Sequence, residues 1–434
     1  MKERTILKKN IKWQLTNTLS QTLLSGLILL LMGRFLGARN FGEFSIILGF
    51  VTLFYSFFEP RMQDLVSKLG WNLMETFDHQ HEVIKDLFLI EVAGKFLICL
   101  ALILFSPFLV KFGNLPKNDI NLIILLSVGM FFAKLGWGLT TGLLRVLGKV
   151  NLLVYFSLLD FAVRLILTLF SIFFLKLTVS LAILILLVSS ITSNIFQIFF
   201  TYVCLKKRGI FFYKSTFLEF KSRLSNNKNF LLTNISLSIS DLMNKDLDIT
   251  LIAPFISLDQ IGLYKMAKNI ALISWKIVDP FYISLMPELS KLIMLNRYKD
   301  IRSIMKKLSY GLFLLTFSIC LLSYILIKIY GANFIGQSFS EVVNLLPFFF
   351  VGILISAPLI WGHPLSVAIS KPHIALRGSL LGSFIGFLFF IILTPIYGAY
   401  GAAIAWSLAF SIFFISTSII SYGQFNKISR EKFT

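Results

Sequence analysis

Asn234, Ser238, Asp241, Lys245 and Asp248 stand four, three, four and three residues apart in an otherwise apolar stretch. On a helix of 3.6 residues per turn this spacing stacks them within about 80° of one another. Further along, Lys265, Lys268, Lys276 and Asp279 make a second, cationic stripe with Asn269 at its edge. A charge inside a membrane helix costs roughly 2.5–3.5 kcal/mol on insertion scales, so one that persists faces a partner or a wet cavity. Cations and carboxylates sharing a face suit either local ion pairs or the wall of a hydrated cavity.

Other polar residues fall at similar depth. Gln14, Thr18, Gln21 and Ser25 repeat the polar face on an earlier stretch, and Glu59, Arg61 and Asp64 gather around Pro60. A proline there loosens the helix where charge collects, which suits a hinge or cavity wall. It equally suits the point where a span meets the headgroups. Asp160 and Arg164, four apart, read as a structural ion pair. Lys265 reads as snorkelling to the interface. Lys276 sits deeper and suits either a functional cation or a local pair with Asp279. Lys134 has no local partner and faces either a cavity or a cross-helix pair.

The elements that must position these side chains are membrane helices. Of 434 residues, 56% are hydrophobic and 14% charged, about half the charge of an ordinary soluble domain. A crossing takes about 20 apolar residues. On that basis we place twelve spans, at residues 13–35, 41–62, 86–110, 120–143, 152–175, 179–204, 230–254, 260–284, 308–329, 341–362, 373–394 and 398–421. The connections are then too short for a large soluble catalytic domain. An even number puts both termini on one side, and cations clustered after the sixth span (Lys206, Lys207, Arg208, Lys214) and after the eighth (Lys291, Arg297, Lys299, Arg302) put that side in the cytoplasm.

The net charge of +20 therefore reports orientation and attraction to anionic headgroups, not nucleic acid. Cys99, Cys204 and Cys320 lie in apolar runs without a CxxC pair and imply neither disulfide nor metal. The histidines, His79, His81, His363 and His373, lack the spacing of a metal site. No Walker-type loop suggests ATP hydrolysis, and no outer loop is large enough for paired glycosyl-transfer carboxylates. The basic N-terminus precedes a retained first span rather than a cleaved signal.

The chain also repeats itself. Residues 35–44 align with 255–264 at an offset of 220, and Glu59-Pro60 falls on Asp279-Pro280. Leu147-Gly148-Lys149 matches Ile369-Ser370-Lys371 at an offset of 222. Two halves of six spans, in the same orientation, are related by a pseudo-two-fold axis along the membrane normal. The expected organisation is an N-terminal six-helix lobe at 1–205, a basic cytoplasmic linker at 206–229 and a C-terminal six-helix lobe at 230–434.

Several short motifs carry a resemblance. Gly33-Arg34-Phe35-Leu36-Gly37 followed by Phe41-Gly42, Gly262-Leu263-Tyr264 with Ala267, Pro287-Glu288-Leu289-Ser290, and the run from Pro395 to Ala403 resemble polysaccharide-export flippases. These are the O-antigen or Wzx-type members of the multidrug/oligosaccharidyl-lipid/polysaccharide (MOP) exporter superfamily. The likeness spans nearly the whole chain. It implies an all-α integral membrane protein of about twelve transmembrane helices in two pseudo-symmetric six-helix lobes, forming a V that opens alternately to each face. The implied central cavity is lined by the first, second, seventh and eighth spans. There is no extra pair of spans, which points away from the lipid II branch.

The resemblance implies a flippase, not an enzyme, in the bacterial cytoplasmic membrane. Its cargo would be an undecaprenyl-pyrophosphate-linked oligosaccharide, with H+ or Na+ as coupling ion and a polysaccharide polymerase and chain-length proteins as partners. No cofactor is expected, and the chain is expected to be a monomer. A diphosphate-sugar headgroup cannot shed its water in hydrocarbon without replacement interactions. Lys245, Lys268 and Lys276 are the expected diphosphate contacts, and Gln21, Glu59, Asp241, Asp248 and Asp279 the cavity-lining or ion-coupling residues. The competing expectation is a cation-coupled multidrug or small-solute extruder of the same fold, which would want an acid-dominated site.

Overall fold

The computed structural model describes residues 2–57, 62–63, 66, 80–207, 247–371 and 373–431. Among the described residues there is no strand. The helices are α1 (Lys2–Phe57), α2 (Gln80–Phe112), α3 (Asp119–Lys134), α4 (Trp137–Val146), α5 (Val150–Phe174), α6 (Val179–Lys206), α7 (Leu247–Ile252), α8 (Leu258–Lys276), α9 (Asp279–Met294), α10 (Tyr298–Ile335), α11 (Val342–Ser356), α12 (Gly362–Ala368) and α13 (His373–Glu431). Eight described stretches are long and apolar enough to cross a bilayer.

Two of the expected inter-span connections shrink to one residue. The first two spans run on as α1 and the last two as α13, broken only at Gly37 (φ 75°, ψ 167°) and Gly398 (φ 59°, ψ −136°). Those backbone angles are closed to residues with a Cβ, so a glycine lets the chain bend without a loop. Conversely, three expected spans are interrupted. The fourth divides into α3 and α4 at Leu135-Gly136, the eighth into α8 and α9 at Ile277-Val278, and the tenth into α11 and α12 through a 3-10 turn, Ala357–Leu359. Of the seventh, only its end, α7, lies within the described residues.

The chain packs as two compact units, Met1–Ile28 with Ile46–Leu247, and Leu29–Ser45 with Asp248–Thr434. In the first, Met62, Val66, Leu87, Leu139, Leu143 and Leu205 build a dry core between α2, α4 and α6. In the second, one core joins α9, α10, α12 and α13 through Leu289, Ile301, Leu365 and Phe425. An aromatic chain, Tyr264, Phe349, Trp406, Phe410 and Trp275, ties α8 and α11 to α13. The outward residues are as apolar as the cores: Leu104 is 70% exposed and Phe173 77%, as expected where the solvent is lipid.

The internal repeat is visible atom by atom. Gly148 (φ 68°) and Ser370 (φ 60°) each end a short helix in the left-handed region. The Lys149 amide donates to the Leu144 carbonyl at 2.8 Å and the Gly148 amide to Arg145 at 3.0 Å. The Lys371 amide donates to Ser366 at 2.8 Å and the Ser370 amide to Val367 at 2.9 Å. A shift of 222 residues carries each donor and acceptor onto its counterpart, so the two helices close with the same C-terminal motif. The same shift carries the end of α3, Lys134, onto the end of α11, Ser356. Ser370 holds a conformation costing an L-residue roughly 1–2 kcal/mol, partly offset by the greater entropy that glycine loses on folding. Ser370→Gly is therefore expected to stabilise by roughly 0.5–1 kcal/mol, read as a higher thermal midpoint in detergent; an unchanged or lower midpoint would refute it.

The 220-residue repeat makes a closer contact. A Cβ on Gly42 would lie 1.9 Å from the Leu258 carbonyl oxygen, and one on Gly262 would lie 2.0 Å from that of Ala38. The repeat carries Gly42 onto Gly262 and Ala38 onto Leu258. Within the second unit the two helices thus cross with each glycine against the other's backbone, a contact open only to glycine.

Candidate functional site

Backbone broken inside a membrane must find new hydrogen-bond partners, and it occurs only where protein or a water-filled cavity covers it. At the α3–α4 break, Gly136 takes φ 65°, and neighbouring helices supply the partners. The buried Glu91 carboxylate on α2 accepts the Gly138 amide at 2.8 Å on Oε1 and the Leu139 amide at 2.9 Å on Oε2. Its charge also complements the positive end of α4. Lys95, one turn along α2 and equally buried, bonds both Glu91 and the Lys134 carbonyl. From α6, Asn194 Nδ2 donates to the Leu135 and Phe132 carbonyls at 2.9 and 3.2 Å. Gln197 Nε2 donates to the hydroxyls of Thr140 and Thr141 at 2.7 and 2.9 Å.

Beside the break lies a cavity of about 610 Å³ within the first unit, lined by Lys134, Trp137, Thr141, Arg145, Asn194 and Gln197. Gln21 also reaches it, with Gln63. Asp160 lines it too, and is neutralised by Arg164 at 2.8 Å, the pair predicted from their spacing. Lys134 and Arg145 bring cationic side chains to the same lining. The Lys134 ammonium lies 5.6 Å from the Tyr55 ring centre, a cation–π distance. In the second unit the repeat-related break is closed differently: Ser309 and Ser418 donate to the Pro358 and Leu359 carbonyls at 2.6 and 2.8 Å. The cavity there, about 300 Å³, touches Arg302 and Lys306.

The residues expected to carry function separate into groups. Asp248 and Lys268 come together as a buried ion pair, 2.7 Å apart and each 3% exposed, with the Tyr264 hydroxyl donating to the same carboxylate oxygen. The other oxygen, Asp248 Oδ1, is buried without a hydrogen-bond partner among the described residues. Lys276 pairs with Asp279 at 3.1 Å, and its side chain is 47% exposed. Lys268 and Lys276 are eight residues apart on α8, about 12 Å along the axis, and belong to different pairs. Gln21 faces the cavity of the other unit. Glu59, Asp241 and Lys245 lie outside the described residues.

Sequence reasoning missed Glu91, Lys95, Asn194 and Gln197. The signal for the first two was present, a Glu and a Lys four apart within the third span. The signal for the others was Gly136 in mid-span, where a break would demand polar neighbours.

Known structures share this architecture. The lipid II flippase MurJ, in an inward closed conformation, matches with a TM-score of 0.69 and 17% identity over 95% of this chain and 89% of that one. An inward-facing multidrug resistance MATE family transporter of the MOP superfamily matches with a TM-score of 0.69 and 13% identity over 96% and 99%. A MOP superfamily transporter from Pyrococcus furiosus matches with a TM-score of 0.61 and 12% identity over 96% of both chains. At these identities the likeness is one of fold. No curated protein matches by sequence. The chain is an all-α, multi-pass membrane protein of about twelve helices with the MOP/MATE-like fold. The family described as polysaccharide biosynthesis protein matches residues 7–293, well over half the sequence, and this protein belongs to that family.

Proposed function

We propose that this protein is a flippase that moves a polyprenyl-diphosphate-linked oligosaccharide, such as an O-antigen or other polysaccharide repeat unit, from the inner to the outer leaflet of the cytoplasmic membrane by alternating access. The observation that carries this reading is the match of residues 7–293 to the polysaccharide biosynthesis family, supported by a fold shared with a lipid II flippase. The proposal includes H+ or Na+ coupling, cytoplasmic termini, a monomeric chain working beside a polymerase and chain-length proteins, and lobes at 1–205 and 230–434 joined by the basic linker 206–229.

Lys276 is the proposed diphosphate contact on α8. An exposed pair such as Lys276–Asp279 is worth about 0–1 kcal/mol, so its ammonium can exchange a carboxylate for a phosphate. Lys268 is instead held by Asp248, where removing either partner leaves a buried charge. In this reading Lys268 shapes α8, Lys245 is a second phosphate contact, and Asp241, Asp248, Asp279, Glu59 and Gln21 form the ion-coupling and cavity-lining set.

The test is flipping of a fluorescent polyprenyl-diphosphate-linked oligosaccharide in liposomes. The intact protein should flip it, and Lys276→Ala and Lys276→Gln should slow it about tenfold or more at equal reconstitution. Unimpaired flipping by both variants would remove Lys276 from the site. Failure of the intact protein to flip, with extrusion of a cationic dye instead, would overturn the flippase reading.

A further inference from the structure

The cavity of about 300 Å³ at the α11–α12 break stands where three helices leave the bilayer. Arg302 and Lys306 on α10 precede the span expected at 308–329, Trp361 closes the one at 341–362, and Tyr422 follows the one at 398–421. All four line the cavity, so its depth is that of the lipid headgroups. Trp and Tyr are the residues that settle at that depth.

Both cations keep their charge. Arg302 donates from one guanidinium nitrogen to Asn426 Oδ1 at 3.1 Å and to the Ser429 hydroxyl at 3.5 Å, and lies 5.8 Å from the Phe425 ring centre. Those partners are neutral, so they position the guanidinium without cancelling it, and its other N–H groups remain to bind. Lys306 is exposed and makes no hydrogen bond or ion pair among the described residues. Asp300, the acid nearest to both in sequence, is taken by Arg297. The rest of the cavity is mainly apolar, with Met305, Leu359 and Ile419. Helices α10 and α13 run antiparallel, since Arg302 meets Asn426 while Leu312 shares a core with Phe414. Leading away from the cations, Phe313 and Phe317 on α10 and Ile415 and Ile419 on α13 are all exposed. A cationic end that opens onto an apolar track matches an anionic amphiphile.

We infer that the second unit holds one anionic phospholipid of the bilayer between α10 and α13. Its phosphate lies between Arg302 and Lys306, the guanidinium offering paired donors to the phosphate oxygens. Its glycerol rests against Trp361 and Tyr422, and its acyl chains follow the apolar track. The floor of the site is held by the protein itself. Trp361 Nε1 donates to the Ser309 hydroxyl at 2.9 Å, that hydroxyl donates to the Pro358 carbonyl at 2.6 Å, and Trp361 packs edge-on against Tyr422 at 6.2 Å. A zwitterionic lipid would bring its own ammonium towards two cations and gain less. In the orientation proposed above the lipid belongs to the cytoplasmic leaflet. The site shares no residue with the proposed diphosphate contacts and does not depend on the flippase reading.

Native mass spectrometry of the full-length protein in detergent, titrated with phosphatidylglycerol or with phosphatidylcholine of the same chains, reads this site directly. The protein should hold one phosphatidylglycerol at least tenfold more tightly than phosphatidylcholine. Lys306→Gln removes no hydrogen bond or ion pair among the described residues and should weaken that adduct about fivefold, the usual worth of one cation at an anionic surface. Adding Arg302→Gln should weaken it further, and if that double variant aggregates, the Lys306→Gln result decides alone. Lys206→Gln with Lys207→Gln removes two exposed cations at the end of α6 and should leave the adduct within twofold. Equal binding of the two lipids would overturn the inference. An equal loss from the Lys206 and Lys207 pair would overturn it too, since diffuse attraction would then explain the binding. Full displacement by excess inorganic phosphate would make the cavity a simple anion site. Displacement by a polyprenyl diphosphate at equal concentration would give the groove to the cargo, and either result would overturn the assignment to a bilayer lipid.

Discussion

Gly262→Ala should leave little folded protein in the membrane, although the change adds one methyl group. The new Cβ would lie 2.0 Å from the Ala38 carbonyl oxygen, 2.8 Å from its carbon and 3.2 Å from its Cα. All three are backbone atoms, so no side chain can rotate out of the way and the helices must move apart. Overpacking in a tight core typically costs about 1–3 kcal/mol, occasionally more, and a backbone-on-backbone overlap belongs at the top of that range. Gly42→Ala should behave alike, because its Cβ would meet the Leu258 oxygen at 1.9 Å. Once one substitution has separated the helices the second has less to displace, so the double variant should cost less than the sum of the singles. Gly94 and Gly311 are helical glycines whose added Cβ would meet nothing within 4 Å. Alanine there should be neutral or stabilising by up to about 1 kcal/mol. Fluorescence-detected size-exclusion after heating compares all five variants, and equal behaviour of Gly262→Ala and Gly94→Ala would show that the crossing is not a tight contact.

How much of this was legible in the residues depended on the range of the interaction. Spans could be read because apolar length is a property of one segment. The pairs Asp160–Arg164 and Lys276–Asp279 could be read because four or three residues on a helix fix who meets whom. The repeat located Gly42 and Gly262, but only coordinates show that each packs on the other's helix. Asp248 and Lys268 were placed on two separate polar stripes, and their union twenty residues apart depends on how α7 docks beside α8 and Tyr264. The cavity was the least legible feature. Its polar lining comes from α3, α4 and α6 at a helix break, and apolar-run counting reads straight through a two-residue interruption such as Leu135-Gly136.

That interruption makes Glu91 a structurally sensitive polar residue. Its two oxygens accept the Gly138 and Leu139 amides and the Lys95 ammonium, all shielded from water. Glu91→Ala would leave two amides without acceptors, each costing about 1–3 kcal/mol. It would also strand the Lys95 charge, and breaking a buried pair costs about 3–5 kcal/mol. These losses overlap, yet any combination is comparable with the whole stability of an ordinary domain, so the variant should fail to accumulate. Glu91→Gln keeps an acceptor for one amide and should fall between. The decisive comparison is the double variant Glu91→Met with Lys95→Met. If the pair were only an ion pair, its apolar replacement would be neutral or even stabilising. A strut across a broken helix predicts otherwise, because the Gly138 and Leu139 amides and the Lys134 carbonyl would all lose partners. The double variant should therefore still melt well below the parent. A double variant as stable as the parent would show that the break holds itself together, and Glu91 would revert to an ordinary buried charge.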